Sequence, residues 1–280
     1  MSSPNESNRF KNIVIDIAVD HSRFLTEIKS AVLPTKQYVI LFTPRSGSTW
    51  VTDTCAATNK LGIPGEYLNP SFIPSEVQSL NTKSTDDFLK ILRHRKKSSN
   101  GVFGIQIRAF EIELFDHAAY HDAFGPETTY FFLWRRNLVA QAISLYKAVK
   151  SGYYHSTSSK KDTVPTIPYN RDEIMHWIRH ILNIENNNYD FCKANGYKPY
   201  ELIYEDIAGQ SKKLVSTLSH ILGVDDVELP ENSVAPKKIG DSWNLSTEEQ
   251  FRAENPDFII QIESQRQIRS KGVIQITDFL

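Results

Sequence analysis

The chain of 280 residues has only two cysteines, Cys55 and Cys192, too few for a disulfide framework or a structural zinc site. It also lacks an excess of either charge. With a net charge of -1 and a pI near 6.7, no global field draws it to nucleic acid or to an anionic membrane. Any anion must therefore be held by a local site. No run of about 18 apolar residues, the length of a spanning helix, occurs, and the opening MSSPNESNRFKN has no apolar signal core. These absences lead us to expect a cytoplasmic protein without stable membrane insertion. What is present is 40% hydrophobic residues, enough for a sizeable core. We expect one domain over 1–280, with a core over 36–260, an N-terminal extension over 1–35 and a tail over 261–280.

Short β-rich runs at 38–43, 102–107, 129–134 and 200–204 alternate with helical periodicity at 138–150, 171–195 and 212–222. That order predicts an α/β fold, a parallel central sheet with helices on both faces. In such sheets ligands bind beyond the carboxyl ends of the strands, which directs attention to the residues after Thr43, Ile107, Trp134 and Tyr204.

The first of these junctions reads LFTPRSGSTW, from Leu41 to Trp50. Ser46, Gly47, Ser48 and Thr49 can present N–H groups and hydroxyls at a helix start carrying about half a positive charge, which suits a phosphate. The nucleotide-hydrolase loop needs a lysine before its hydroxyl residue, and none stands there; Arg45 precedes the glycine instead. An ordinary strand–turn–helix with a serine N-cap has the same pattern, so the turn alone leaves both readings open. A second constellation, FFLWRRNLVAQAISLYKA, puts Arg136 at a strand end and Ser144 eight residues on, about two helical turns away. A guanidinium and a hydroxyl so placed suit a phosphate monoester lying along the helix; a surface arginine and a small packing residue would look the same.

With these motifs the chain resembles the sulfotransferases that use 3′-phosphoadenosine-5′-phosphosulfate (PAPS), in particular the bacterial carbohydrate branch of trehalose 2-sulfotransferase-like and nodulation-factor enzymes. PRSGST is similar to that family's 5′-phosphosulfate loop, RNLVAQAIS to its 3′-phosphate element, and IYEDI to its Tyr-Glu-Asp strand end. GIPGEYLNP resembles the branch's glutamate segment and KKIGDSWN its late cofactor loop. The resemblance implies that Arg45, Ser46, Gly47, Ser48 and Thr49 hold the 5′-phosphosulfate, and that Arg136 and Ser144 hold the 3′-phosphate. It sets Trp50 and Tyr204 beside adenine, with a core role for Trp50 equally open, and has Lys237 or Lys238 reach phosphate. Glu66 is implied as the base that takes the acceptor proton, since a hydroxyl attacks sulfur poorly while it keeps that proton. PAPS is the implied co-substrate, with no metal, no nucleic acid, and a hydroxyl of a sugar or glycolipid as acceptor, lodged between the loops 67–75 and 150–168. A homodimer is open. The sequence departs from the pattern at Gln106 and Arg108, and Arg108 cannot act as a base at neutral pH; it can steady the moving sulfonate or an acceptor hydroxyl, or bridge to Glu111 or Glu113. An ATP-dependent small-molecule kinase and a non-catalytic nucleotide-binding relative are the rival readings.

Other features carry less. His176 and His180 have zinc-ligand spacing but no third ligand in the motif. Glu205 and Asp206, as neighbours at a strand end, are expected to point to opposite sides, with Glu205 free to position Tyr204. RHRKK reads as a solvated helix face rather than a nucleic-acid patch, and His155 is a second candidate base.

Overall fold

Apolar runs of strand length, rich in β-branched and aromatic residues, can bury both faces only inside a layered α/β domain. In the computed structural model, which describes residues 9–113, 117–153, 167–231, 241–267 and 274–275, these runs form β1 (Lys36–Phe42), β2 (Val102–Ile107), β3 (Thr129–Trp134) and β4 (Tyr200–Ile203), joined by a short β5 (Ile274–Gln275). All neighbours are parallel, in the order β2-β1-β3-β4-β5. The alternation of side chains along β1 divides the core. Tyr38, Ile40 and Phe42 face one layer with Phe131, Leu133 and Leu202, while Val39 and Leu41 face the other with Phe103, Ile105, Tyr130 and Phe132.

The first layer is covered by α3 (Ser48–Ala57) and α11 (Ser211–Leu222). The second is covered by α1 (Arg9–Val14), α4 (Ile73–Leu80), α5 (Thr85–Lys96) and α7 (His117–Ala123), with α2 (His21–Ser30) packed outside. Phe10 and Val14, in the extension for which the sequence offered no role, are buried in this core. A third cluster joins α8 (Leu138–Ser151), α9 (Arg171–Ala194), α12 (Ser242–Glu254) and α13 (Pro256–Gln267). The one-turn helices α6 (Ala109–Ile112) and α10 (Tyr204–Ile207) follow β2 and β4 directly.

The chain leaves β1 for β2 on one side and returns to β3 on the other, so the sheet's topological switch point lies between β1 and β3. The turns into α3 and α8 meet there. α13 runs through residue 261 to Gln267, so the first residues of the tail expected to start there continue a helix. Among the described residues no helix is long and apolar enough to cross a membrane.

Candidate active site

The turn after β1 reverses the chain through two left-handed residues, Arg45 at φ 62° and Gly47 at φ 85°. At Gly47 only glycine fits, because a Cβ there would lie 2.5 Å from Cδ2 of the Tyr204 ring, in a backbone conformation that side chains resist. Gln141 of α8 braces the turn by donating to Thr43 Oγ1 at 2.8 Å and to the Pro44 carbonyl at 2.7 Å. α3 then starts with Gly47 as an N-cap that offers no side-chain acceptor, and without an acid in its first turn. With no side-chain cap among the described residues, its leading N–H groups and positive end can receive an anion. The Ser46 hydroxyl is buried and has no hydrogen-bond partner among the described residues. An unsatisfied donor beside free helix amides fits an incoming phosphate or sulfate oxygen. Arg45 Nε donates to Ser144 Oγ at 3.0 Å.

The turn after β3 forms the second wall. Glu205 accepts from the N–H groups of Arg136 and Asn137 at 2.8 and 3.1 Å, and Asp206 takes the Arg136 guanidinium at 2.8 Å. Strand β4 ends at Ile203, so both acids belong to the turn of α10 and reach the same β3–α8 junction. The expectation that they point apart fails because it assumed a continuing strand. From the other side Arg266 of α13 donates to the carbonyls of Arg135 and Arg136 at 2.6 and 2.9 Å while paired with Glu185 at 2.8 Å. Arg135 lies with its guanidinium 4.8 Å from the Tyr204 ring centre, and Nη1 is 3.5 Å from the Arg45 carbonyl. Arg135 thereby links the two turns.

A carboxylate and a guanidinium meet at the end of β2. Glu66 Oε2 is 4.0 Å from Arg108 Nη2 and accepts from Asn69 Nδ2 at 2.9 Å. The Gly65 carbonyl accepts from Gln106 N at 3.1 Å and fastens this loop to β2. Arg108 is gripped by Glu111, which takes its backbone N–H at 2.8 Å, its Nε at 3.1 Å and its Nη2. Burial pushes the Glu111 carboxyl above its ordinary range, against the pull of Arg108. The same guanidinium sits 5.7 Å from the Phe42 ring, at the mouth of the first turn. Buried Asn188 of α9 ties the two strand ends together, donating to the Phe42 carbonyl at 3.1 Å and accepting from Ala109 N at 2.8 Å.

The residues singled out in the sequence fall into two groups. Arg45, Ser46, Gly47, Ser48, Thr49, Ser144 and Tyr204 gather at the switch point, and Glu66 with Arg108 stands beside it. Arg136 and Ser144 are not joined directly; one is held by Asp206 and the other by Arg45. Trp50 is only 8% exposed and packs in the core layer under α3. Lys237, Lys238 and His155 lie outside the described residues, as does most of the 150–168 loop. Gln141, Asn188 and Arg266 escaped the sequence reading, whereas the bridge from Arg108 to Glu111 is one of its alternatives. Among the described residues no group of three or more His, Cys, Asp or Glu is placed to hold a metal ion. Chemically, a cationic anion cradle stands next to a carboxylate held by an arginine and an amide.

Residues 37–254 match the family described as Stf0 sulphotransferase. A trehalose 2-sulfotransferase of Mycobacterium tuberculosis (strain ATCC 35801 / TMC 107 / Erdman) is 22% identical over 263 residues, covering 79% of this chain and 96% of the relative. The sulfotransferase domain of the Synechococcus PCC 7002 olefin synthase is 16% identical over 79% of this chain and 89% of that one, with a TM-score of 0.41.

Proposed function

Because the chain belongs to the Stf0 sulphotransferase family and is a sulfotransferase, we propose that it moves a sulfonate from PAPS to a hydroxyl of a carbohydrate or glycolipid. The observation that carries the donor assignment is the turn 43–49, where two left-handed residues, an uncapped helix start and the orphaned Ser46 hydroxyl form a ready anion site. The likeness to a trehalose 2-sulfotransferase supports a sugar acceptor.

In this reading Arg45, Ser46, Gly47, Ser48 and Thr49 bind the 5′-phosphosulfate, and the amides of α3 with Arg45 stabilise the charge that grows on the departing 5′-phosphate. Arg136 and Ser144 take the 3′-phosphate, Tyr204 borders the base, and Lys237 or Lys238 approaches from the late loop. Glu66 accepts the acceptor proton while the acceptor oxygen bonds to sulfur and the bond from sulfur to the 5′-phosphate oxygen breaks. Arg108, aligned by Glu111, steadies the sulfonate or the hydroxyl in line. The chain's own cations and amides suffice for a sulfonate, which carries less charge than a phosphoryl group, so no metal enters the proposal.

The test is incubation of the purified protein with labelled PAPS and a panel of sugars and glycolipids in excess EDTA, with mass spectrometry of the products. Gain of one sulfonate on a glycan supports the reading. Activity that vanishes in EDTA and returns only with magnesium, or transfer from ATP instead, would move the protein to phosphoryl chemistry.

A further inference from the structure

The two acids of α10 occupy the anion positions of the β3–α8 turn in different ways. Glu205 accepts from two backbone N–H groups, those of Arg136 and Asn137, and so is built into the start of α8. Asp206 holds a side chain instead. Both of its oxygens lie on one nitrogen, Arg136 Nη2, at 3.0 and 2.8 Å. A guanidinium offers two edges with paired donors, Nη1 with Nη2 and Nε with Nη2, and Nη2 belongs to both. While Asp206 stays in place, a phosphate therefore finds neither paired edge of Arg136 unshared, and it approaches Nε or Nη1 against a neighbouring like charge. The pair is also open to water, with Arg136 54% and Asp206 35% exposed, so it is weakly held and can exchange.

We infer that Asp206 is a resident carboxylate which the donor's 3′-phosphate displaces from Arg136, making Asp206 a determinant of donor selectivity. The inference rests on the reading that Arg136 meets the 3′-phosphate. A dianionic phosphomonoester with three acceptor oxygens outcompetes a single carboxylate for the fork. A nucleotide with a 3′-hydroxyl does not, and it leaves the Arg136–Asp206 pair closed. Asp206 thus lowers the affinity for every ligand that must open the pair and is silent toward those that need not.

Calorimetry on the full chain with 3′,5′-bisphosphoadenosine and adenosine 5′-monophosphate tests this. Asp206→Asn and Asp206→Ala should each tighten the bisphosphate about fivefold, the worth of an exposed ion pair, and change the monophosphate less than about twofold. The two substitutions differ in size and polarity, so agreement between them excludes an artefact of either side chain. If both leave bisphosphate affinity unchanged or weaker while Arg136→Ala still weakens it, Asp206 is a brace for the arginine and the exchange is overturned. If Arg136→Ala leaves bisphosphate affinity intact, the donor role of Arg136 falls, and the exchange with it.

Discussion

Arg45 Nε donates to Ser144 Oγ across 3.0 Å, joining the turn that follows β1 to the second turn of α8. The sequence reading placed these residues at opposite ends of the donor, one on the phosphosulfate and one on the 3′-phosphate. The bond makes them one unit, so a change at either end is felt at the other. Ser144→Ala and Arg45→Ala should therefore be non-additive in bisphosphate affinity, with a coupling of about 1–2 kcal/mol for a charge-assisted hydrogen bond. A double-mutant cycle by calorimetry measures this; strictly additive losses would show that the ligand replaces the bond.

Gly47 carries both a backbone and a steric demand. Gly47→Ala puts a Cβ 2.5 Å from the Tyr204 ring at φ 85°. Strain of this kind costs on the order of 1–3 kcal/mol, and the collision adds to it. We expect a lower Tm and a loss of bisphosphate binding of about tenfold or more. In a Tyr204→Ala background the steric part should vanish, leaving about 1 kcal/mol for the conformation. Equal losses in both backgrounds would show that the ring contact is not the cause.

Arg266 acts on the second turn from behind. Its loss frees the carbonyls of Arg135 and Arg136 and removes a charge partner of Glu185, whose side chain is 7% exposed. Arg266→Gln should cost about 3 kcal/mol of stability, as for one broken partner of a buried pair. Adding Glu185→Gln should restore part of that stability, since the buried carboxylate deprived of Arg266 is then neutral. Donor affinity should recover less, because the two carbonyls are still unheld. Denaturant unfolding and calorimetry on the single and double variants separate the two effects.

The difference between Arg266 and Gly47 illustrates what the sequence could tell. Gly47 lies in a local motif, where strand, turn and helix start follow one another within a few residues, and local chemistry is legible from order alone. β2 and β3 were legible for the same reason: continuous apolar runs between turn residues have few alternatives. Gln141 left a trace, a polar residue inside the apolar run LVAQAIS, which a buried hydrogen-bond partner explains. Asn188 and Arg266 left none. Each acts on a turn far away in sequence, and only the packing of α9 and α13 over the sheet brings it there. The direction of Glu205 and Asp206 was misread because one residue of strand length, Tyr204, decides whether neighbours alternate or share a helical turn.

Glu66 separates binding from chemistry. Its carboxylate stands 4.0 Å from Arg108 and 2.9 Å from Asn69. Glu66→Gln keeps the shape and the contact with Asn69 in altered form but removes the basicity. If Glu66 takes the acceptor proton, kcat should fall by about 10²–10⁴-fold while bisphosphate affinity hardly changes, since no donor phosphate gains from a nearby carboxylate. Arg108 sharpens the test, because it cannot substitute as a base at neutral pH. An Arg108→Gln enzyme should be slow through lost positioning yet keep its base. A Glu66→Gln enzyme with near-native kcat on a true acceptor would return Glu66 to an ordinary loop residue and pass the role of base to another group.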